Sequence, residues 1–169
     1  MIILGIDPGI GRMGWGVIKI QDSTLRRSSG QECKVQSYGC IETPAGGAIE
    51  QRLLQIHEQL EKIIKKEKPE ALAVEELFFN TNAKTAFVVG QARGVVLLTA
   101  AQKNLSVAIY TPLQVKMALT GYGRAEKNQI GQMVKVLLKL PAIPKPDDTA
   151  DALAVALTHA FSWKMSIQK

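Results

Sequence analysis

Four carboxylates stand at three separated places in the chain: Asp7, Glu75, and the pair Asp148 and Asp151. Asp7 ends the apolar run Met1-Ile2-Ile3-Leu4-Gly5-Ile6. Glu75 ends Ala71-Leu72-Ala73-Val74, and Asp148 and Asp151 open an Ala-rich stretch of helical character. Acids at the ends of neighbouring parallel strands and at a helix start can converge on one point. Such a cluster repels itself, because two carboxylates about 4 Å apart cost roughly 4 kcal/mol at an effective dielectric of about 20. Divalent cations relieve that cost, and ligands that are all oxygen favour Mg²⁺ or Mn²⁺. The chemistry this implies is two-metal phosphodiester hydrolysis, with Asp7 bridging the ions.

Each acid also has a plainer role. Asp before Pro8-Gly9 is a common turn residue, and by itself Asp7 favours that reading. Asp147 suits a helix N-cap, but two further acids in the same turn exceed what capping needs. Asp148 and Asp151 are three apart and share one helix face. Side chains alternate along a strand, so Asp7 shares its face with Gly5, and Glu75 shares its face with Ala71 and Ala73. Those small neighbours suggest open space for ions and a phosphate. Glu76 falls on the other face and reads as a solvated or DNA-proximal loop residue. His57 and His159 sit on helices and are left out of the chemistry.

The elements that must position these acids follow from periodicity. Residues 2–7 read as a strand, 8–14 as a turn, 15–20 as the second half of a hairpin, 21–34 as a loop and 35–43 as a third strand. Ile49, Leu53, Ile56, Leu60, Ile63 and Ile64 recur at helical spacing, which predicts a helix over 48–67 that Pro69 stops. Strands at 71–75 and 106–110 flank a helix over 83–103, with 76–82 as a loop. Thr111-Pro112 is a helix start, and Gly121-Tyr122-Gly123-Arg124 reads as a mobile interruption before a helix over 125–138. Pro141, Pro144 and Pro146 make a stiff connector to a last helix over 147–163. The order β-β-β-α-β-α-β-α-α-α implies an α/β protein, a mixed five-stranded sheet with helices on both faces.

Composition narrows the classes. With 169 residues and 18.4 kDa the chain fits one domain, residues 1–169, with room for a sizeable core. The longest strongly apolar stretch, Val95 to Ala101, falls far short of the roughly 20 residues a membrane span needs. Cys33 and Cys40 show no metal-ligand pattern and read as reduced thiols, and the N-terminus reads as a strand, so a cytoplasmic location is expected. Lys and Arg number 21 against 15 Asp and Glu, for a net charge of +6, although four acids are committed to the cluster. A basic body around an acidic pocket suits a phosphate-cleaving site with a nucleic-acid footprint.

Laid out this way, the chain resembles the RuvC family of Holliday junction resolvases over nearly its whole length. The segments that carry the resemblance are Gly5-Ile6-Asp7-Pro8-Gly9 with Gly14-Trp15-Gly16, Val74-Glu75-Glu76-Leu77-Phe78, and Gly90-Gln91-Ala92-Arg93-Gly94. Further on come Ala125-Glu126-Lys127, Leu137-Leu138-Lys139-Leu140-Pro141, and Asp148-Thr149-Ala150-Asp151-Ala152-Leu153-Ala154. The resemblance implies an RNase H-like fold and a homodimeric endonuclease that cuts a four-way DNA junction symmetrically. It puts the family's metal-binding acids on Asp7, Glu75, Asp148 and Asp151, with two Mg²⁺ ions in each active site and Mn²⁺ as a substitute. It implies products with 5′-phosphate and 3′-hydroxyl ends and partnership with a branch-migration helicase complex.

The resemblance also marks DNA-binding candidates. Phe78 matches a position that stacks at the junction centre, whereas Phe79 reads as packed in the core. Lys116 and Lys127 match lysines near the catalytic pocket, where they can contact the scissile phosphate. Arg124 is a candidate backbone contact. The helix over 83–103 is apolar over most of its circumference, which fits a symmetric dimer interface. Three rivals stand beside this reading. Actin-like and sugar-kinase ATPases share a similar first loop, but the chain is too short for their two domains. An RNase H-like nuclease acting on an RNA–DNA hybrid and a junction-binding module without catalysis are the others.

Overall fold

The computed structural model describes residues 1–21, 32–76 and 83–167. Three strands open the chain: β1 (Ile2–Asp7), β2 (Arg12–Gln21) and β3 (Glu32–Glu42). Then come α1 (Ile49–Glu67), β4 (Ala71–Glu75), α2 (Ala83–Gln102) and β5 (Ser106–Tyr110). Three helices follow: α3 (Pro112–Thr120), α4 (Lys127–Leu137) and α5 (Asp147–Ile167). Among the described residues the sheet has five strands in the order β3-β2-β1-β4-β5. β3, β2 and β1 pair antiparallel, while β1 with β4 and β4 with β5 pair parallel.

Local chemistry sets the ends of these elements. Thr111 and Gln114 form a capping box at α3: the Thr111 hydroxyl accepts from Gln114 N–H at 3.1 Å, and Gln114 Oε1 accepts from Thr111 N–H at 2.8 Å. At the other end of α1, Lys68 turns left-handed with φ 51° and its N–H donates to Ile64 O at 2.9 Å, just before Pro69.

Strand alternation splits the core in two. Ile3 and Ala73 face α5 and pack with Leu153, Ala156 and Leu157. Leu4, Ile6, Leu72 and Val74 face the other way, against Ile56 and Leu60 of α1 and Ala92 and Val96 of α2. Helices therefore cover both faces, as the element order implies. Burying each large aliphatic side chain contributes about 2 kcal/mol, so the two layers pin α5 and the α1–α2 pair firmly to the sheet. α5 is buried without interruption from Ala152 to Ala160, which explains its weak amphipathic pattern.

Several boundaries differ from the sequence reading, α4 among them, which starts at Lys127 rather than Ala125. β2 begins at Arg12, not Trp15, because Met13 and Gly14 pair with Ile41 and Cys40 of β3 despite the glycines around them. β3 begins at Glu32, where polar residues extend the ladder opposite Gln21 and Ile20. α5 continues past Trp163 to Ile167.

Candidate active site

Asp7 is the last residue of β1 and Glu75 the last of β4. The two strands are parallel neighbours and Ile6 is in register with Val74, so the two acids that follow end their strands side by side. Both fall on the side of the sheet that faces α5. Asp148 lies in the first turn of that helix and Asp151 one turn further on. Thr149 ties the same turn to the sheet: its hydroxyl donates to Gly39 O at 3.2 Å.

The sheet beneath α5 is cut away to let the helix in. A Cβ on Gly14 would run into the carbonyl oxygen of Asp148, and one on Gly5 into that of Ala152. This corrects the expectation that small residues beside Asp7 leave open space for ions. The space at Gly5 is filled by α5 itself. Its close approach is what brings Asp148 and Asp151 to the strand ends.

The electrostatics are those of a crowded acidic pocket. Asp7 is pushed up to about 8, first by burial and then by the charges of Glu75, Asp151 and Asp148, with Lys127 opposing. Glu75 is pushed up to about 7 by burial and by Asp151, against the pull of Lys127 and Lys116. Asp151 is also raised by burial, although its hydrogen bond to Lys127 works the other way. Asp147, in contrast, is exposed and lowered by a 2.6 Å hydrogen bond from Lys145, which sets it apart from the cluster.

Two cations already lean on the acids. Lys127 Nζ is 2.8 Å from Asp151 Oδ2, and Arg12 Nε is 3.4 Å from Asp148 Oδ2. The Arg12 contact is an ion pair without a hydrogen bond, so Asp148 Oδ2 is buried with its hydrogen-bonding capacity unmet. Among the described residues, no three His, Cys, Asp or Glu side chains are gathered round one point in metal-ligating geometry. The donor set nevertheless fits a hard divalent cation. All four groups are carboxylates, Asp7, Glu75 and Asp151 are pushed up by burial and by acidic neighbours, and one buried oxygen has no hydrogen-bond donor.

A cavity of about 200 Å³ opens beside the cluster. Glu75, Asp151, Lys116 and Lys127 line it over an apolar floor that includes Val115 and Ile130. Two of the four acids and both candidate lysines thus share one cavity. Arg124 is exposed in the turn between α3 and α4 and is not among the lining residues. That turn is not the mobile interruption the sequence suggests: the Thr120 hydroxyl accepts from Tyr122 N–H at 3.1 Å, and Gly121 N–H donates to Met117 O at 2.9 Å. Phe78 and Phe79 lie outside the described residues. A larger groove of about 720 Å³ runs along α1 among Glu58, Glu61, Lys62, Lys65 and Lys103, on the opposite side of the sheet from α5. Its acids and lysines are mixed, with Lys103 and Glu61 joined in a 2.5 Å ion pair, so it gathers no cluster of acids.

Sequence reasoning missed Arg12. Its signal was a lone cation in the turn just after Asp7. The two histidines left out of the chemistry have structural contacts: His159 is buried with Nδ1 2.8 Å from the Tyr110 hydroxyl, and His57 Nδ1 meets the Thr99 hydroxyl at 2.8 Å. Both contacts join a helix to a neighbouring element.

This strand order, with paired acids at the parallel strand ends and a helix laid across them, is the RNase H-like architecture, and the chain is a nuclease of that class. Residues 3–159 match the family model described as crossover junction endodeoxyribonuclease RuvC. The crossover junction endodeoxyribonuclease RuvC of Alkaliphilus oremlandii is 54% identical over 162 residues, covering 96% of this chain and 94% of the relative. The structure of Thermus thermophilus RuvC superposes with a TM-score of 0.89 at 37% identity, covering 98% of this chain and 97% of that one. T. thermophilus RuvC in complex with a Holliday junction substrate gives 0.86 at 34% identity, covering 98% and 96%. The chain belongs to the RuvC family of crossover junction endodeoxyribonucleases.

Proposed function

We propose that this chain resolves four-way DNA junctions as a homodimer, nicking two strands at symmetric positions with one acidic centre in each copy. The observation that carries this reading is the side-by-side placement of Asp7 and Glu75 on parallel strand ends, under the first turns of α5 that bear Asp148 and Asp151. These four acids hold two Mg²⁺ ions, with Mn²⁺ as a substitute. Ions held there would make a water more acidic and offset charge at the leaving 3′ oxygen, the chemistry that would leave 5′-phosphate and 3′-hydroxyl ends.

The chain's own residues do the rest. Lys116 and Lys127 line the cavity beside Glu75 and Asp151, where their charges hold the scissile phosphate against the acids and offset charge that develops on it. Arg124 binds the backbone further out, and Phe78 stacks on bases at the junction centre. The dimer forms through α2 and suits a substrate with two-fold symmetry. The exposed side chains of Phe87 and Leu98, and the open space at Gly90 and Gly94, support this. We place the protein in the cytoplasm, where Cys33 and Cys40 stay as free thiols, and assign it a branch-migration helicase complex as partner.

The test is a synthetic four-way junction incubated with the full chain and Mg²⁺, with cuts mapped to the nucleotide on opposing arms. Paired cuts at equivalent positions are expected, and an RNA–DNA hybrid duplex should compete poorly. Asp7→Asn should bind the junction without cutting it. Cutting by that variant, or preferential attack on the hybrid, would overturn the assignment.

A further inference from the structure

The turn from α3 to α4 carries one aromatic, Tyr122, a residue 57% exposed. The backbone beneath it is fixed. The Thr120 hydroxyl accepts from Tyr122 N–H at 3.1 Å and stands 2.8 Å from Lys116 O and 3.0 Å from Tyr122 O, to either of which it donates its proton. Ala125 N–H donates to the same Tyr122 carbonyl at 3.2 Å. Gly121 closes α3 in the left-handed region, with φ 70°. A large apolar ring is therefore held out to solvent on a backbone with little freedom left to lose on binding. Nothing about folding requires this, since an exposed ring adds little to the core.

The surroundings indicate what the ring meets. Leu113 and Met117 are exposed on α3, and Leu113 closes over Gly123, so the turn next to Tyr122 has apolar side chains against it. Along the chain Lys116 precedes the turn, Arg124 lies on it and Lys127 follows it, with Glu126 as its one acid. Lys116 and Lys127 both line the cavity that holds Glu75 and Asp151. The elements on both sides of the turn therefore reach that cavity. A planar apolar ring among cations at the edge of a phosphate-cleaving cavity matches a nucleotide, which pairs an aromatic base with a negative backbone.

We propose that Tyr122 stacks on a base of the DNA strand that lies across this cavity, placing that strand's backbone over the acids. This rests on the proposed nuclease function and adds a contact within the same site.

The experiment measures binding of a fluorescent four-way junction to the full chain, in wild type and in Tyr122→Ala, Tyr122→Phe and Tyr122→Leu, alongside Arg124→Ala. Loss of one stacked base should weaken Tyr122→Ala about tenfold. Tyr122→Phe should bind like wild type, and Tyr122→Leu, which keeps bulk without a planar face, should fall with Ala. Melting temperatures should stay equal throughout. The slope of affinity against salt should be unchanged in Tyr122→Ala and shallower in Arg124→Ala. Wild-type affinity in Tyr122→Ala, or a Leu variant as good as Phe, would overturn the stacking contact while leaving the nuclease intact. The first of those results would make the patch a protein-docking surface. A wild-type chain that fails to bind the junction would instead bring down the functional reading and this contact with it.

Discussion

Lys127 and Asp151 form a 2.8 Å ion pair that joins the start of α4 to the second turn of α5. The lysine is thus held beside the acids by a contact with one of them. If its charge acts on the reacting phosphate, Lys127→Ala should slow single-turnover cutting by about 10²–10³-fold. Junction binding should weaken by less than about tenfold, as for one lost phosphate contact. Lys127→Arg should recover only part of the rate, because a planar guanidinium does not replace a compact ammonium. An unaltered rate in the Ala variant would make Lys127 a solvated surface charge.

The raised acids set a pH dependence with a definite sign. Asp7 holds its proton up to about 8 in the folded chain, against an ordinary value of 3.8, and Glu75 up to about 7, against 4.5. Between those limits the folded chain binds more protons than the unfolded one, so stability falls as pH rises. With divalent ions chelated, the melting temperature should drop from pH 5 to pH 8, and Asp7→Asn should flatten the fall. Added Mg²⁺ should raise the melting temperature at pH 8 far more than at pH 5, because binding must expel those protons. A melting temperature that climbs over this range without metal would contradict the assigned burial of the two acids.

Gly14 should be as indispensable as an acid. A methyl group there collides with the backbone at Asp148 and must lift the start of α5. Gly14→Ala should cost about 1–3 kcal/mol, or about 2–4 °C of melting temperature per kcal/mol. It should also abolish cutting at temperatures where the variant is still fully folded. Gly46→Ala, with nothing within 4 Å of the added carbon, is the matched control and should be silent in both assays. Normal cutting by the Gly14 variant would show that the acids tolerate a displaced helix.

α2 leaves Phe87 68% and Leu98 57% exposed. Val107 and Ile109 of β5 are also exposed, and they lie in register with Leu72 and Val74 on the α2 side of the sheet. A second copy would cover this surface. Leu98→Glu should sediment as a monomer at micromolar concentration with its melting temperature little changed, whereas the unaltered chain should sediment as a dimer. A monomeric wild type would remove α2 as an interface.

Much of this was legible because the signals were local. Runs such as Ala71 to Val74 and the stop at Pro69 fix an element and its end within a few residues. Thr111-Pro112 carries its capping chemistry in adjacent side chains. Asp7 and Glu75 were readable because strand ends are. What escaped depends on contacts between distant segments. Gly14 looks like a turn residue until α5 is laid over it. Arg12 gains its meaning only when Asp148, far along the chain, arrives beside it. Tyr122 sits between two glycines, a pattern that reads as loose, and the Thr120 hydroxyl that fixes it acts through side-chain hydrogen bonds that periodicity does not register.

The last helix also bears on timing. α5 is the final described element to leave the ribosome, and it brings half of the acidic quartet with it. A partly synthesised chain can form the earlier strands and still own only Asp7 and Glu75. The proposed cutting centre is therefore complete only when α5 has docked on the sheet, and a chain cut short before Asp148 lacks half of its acids.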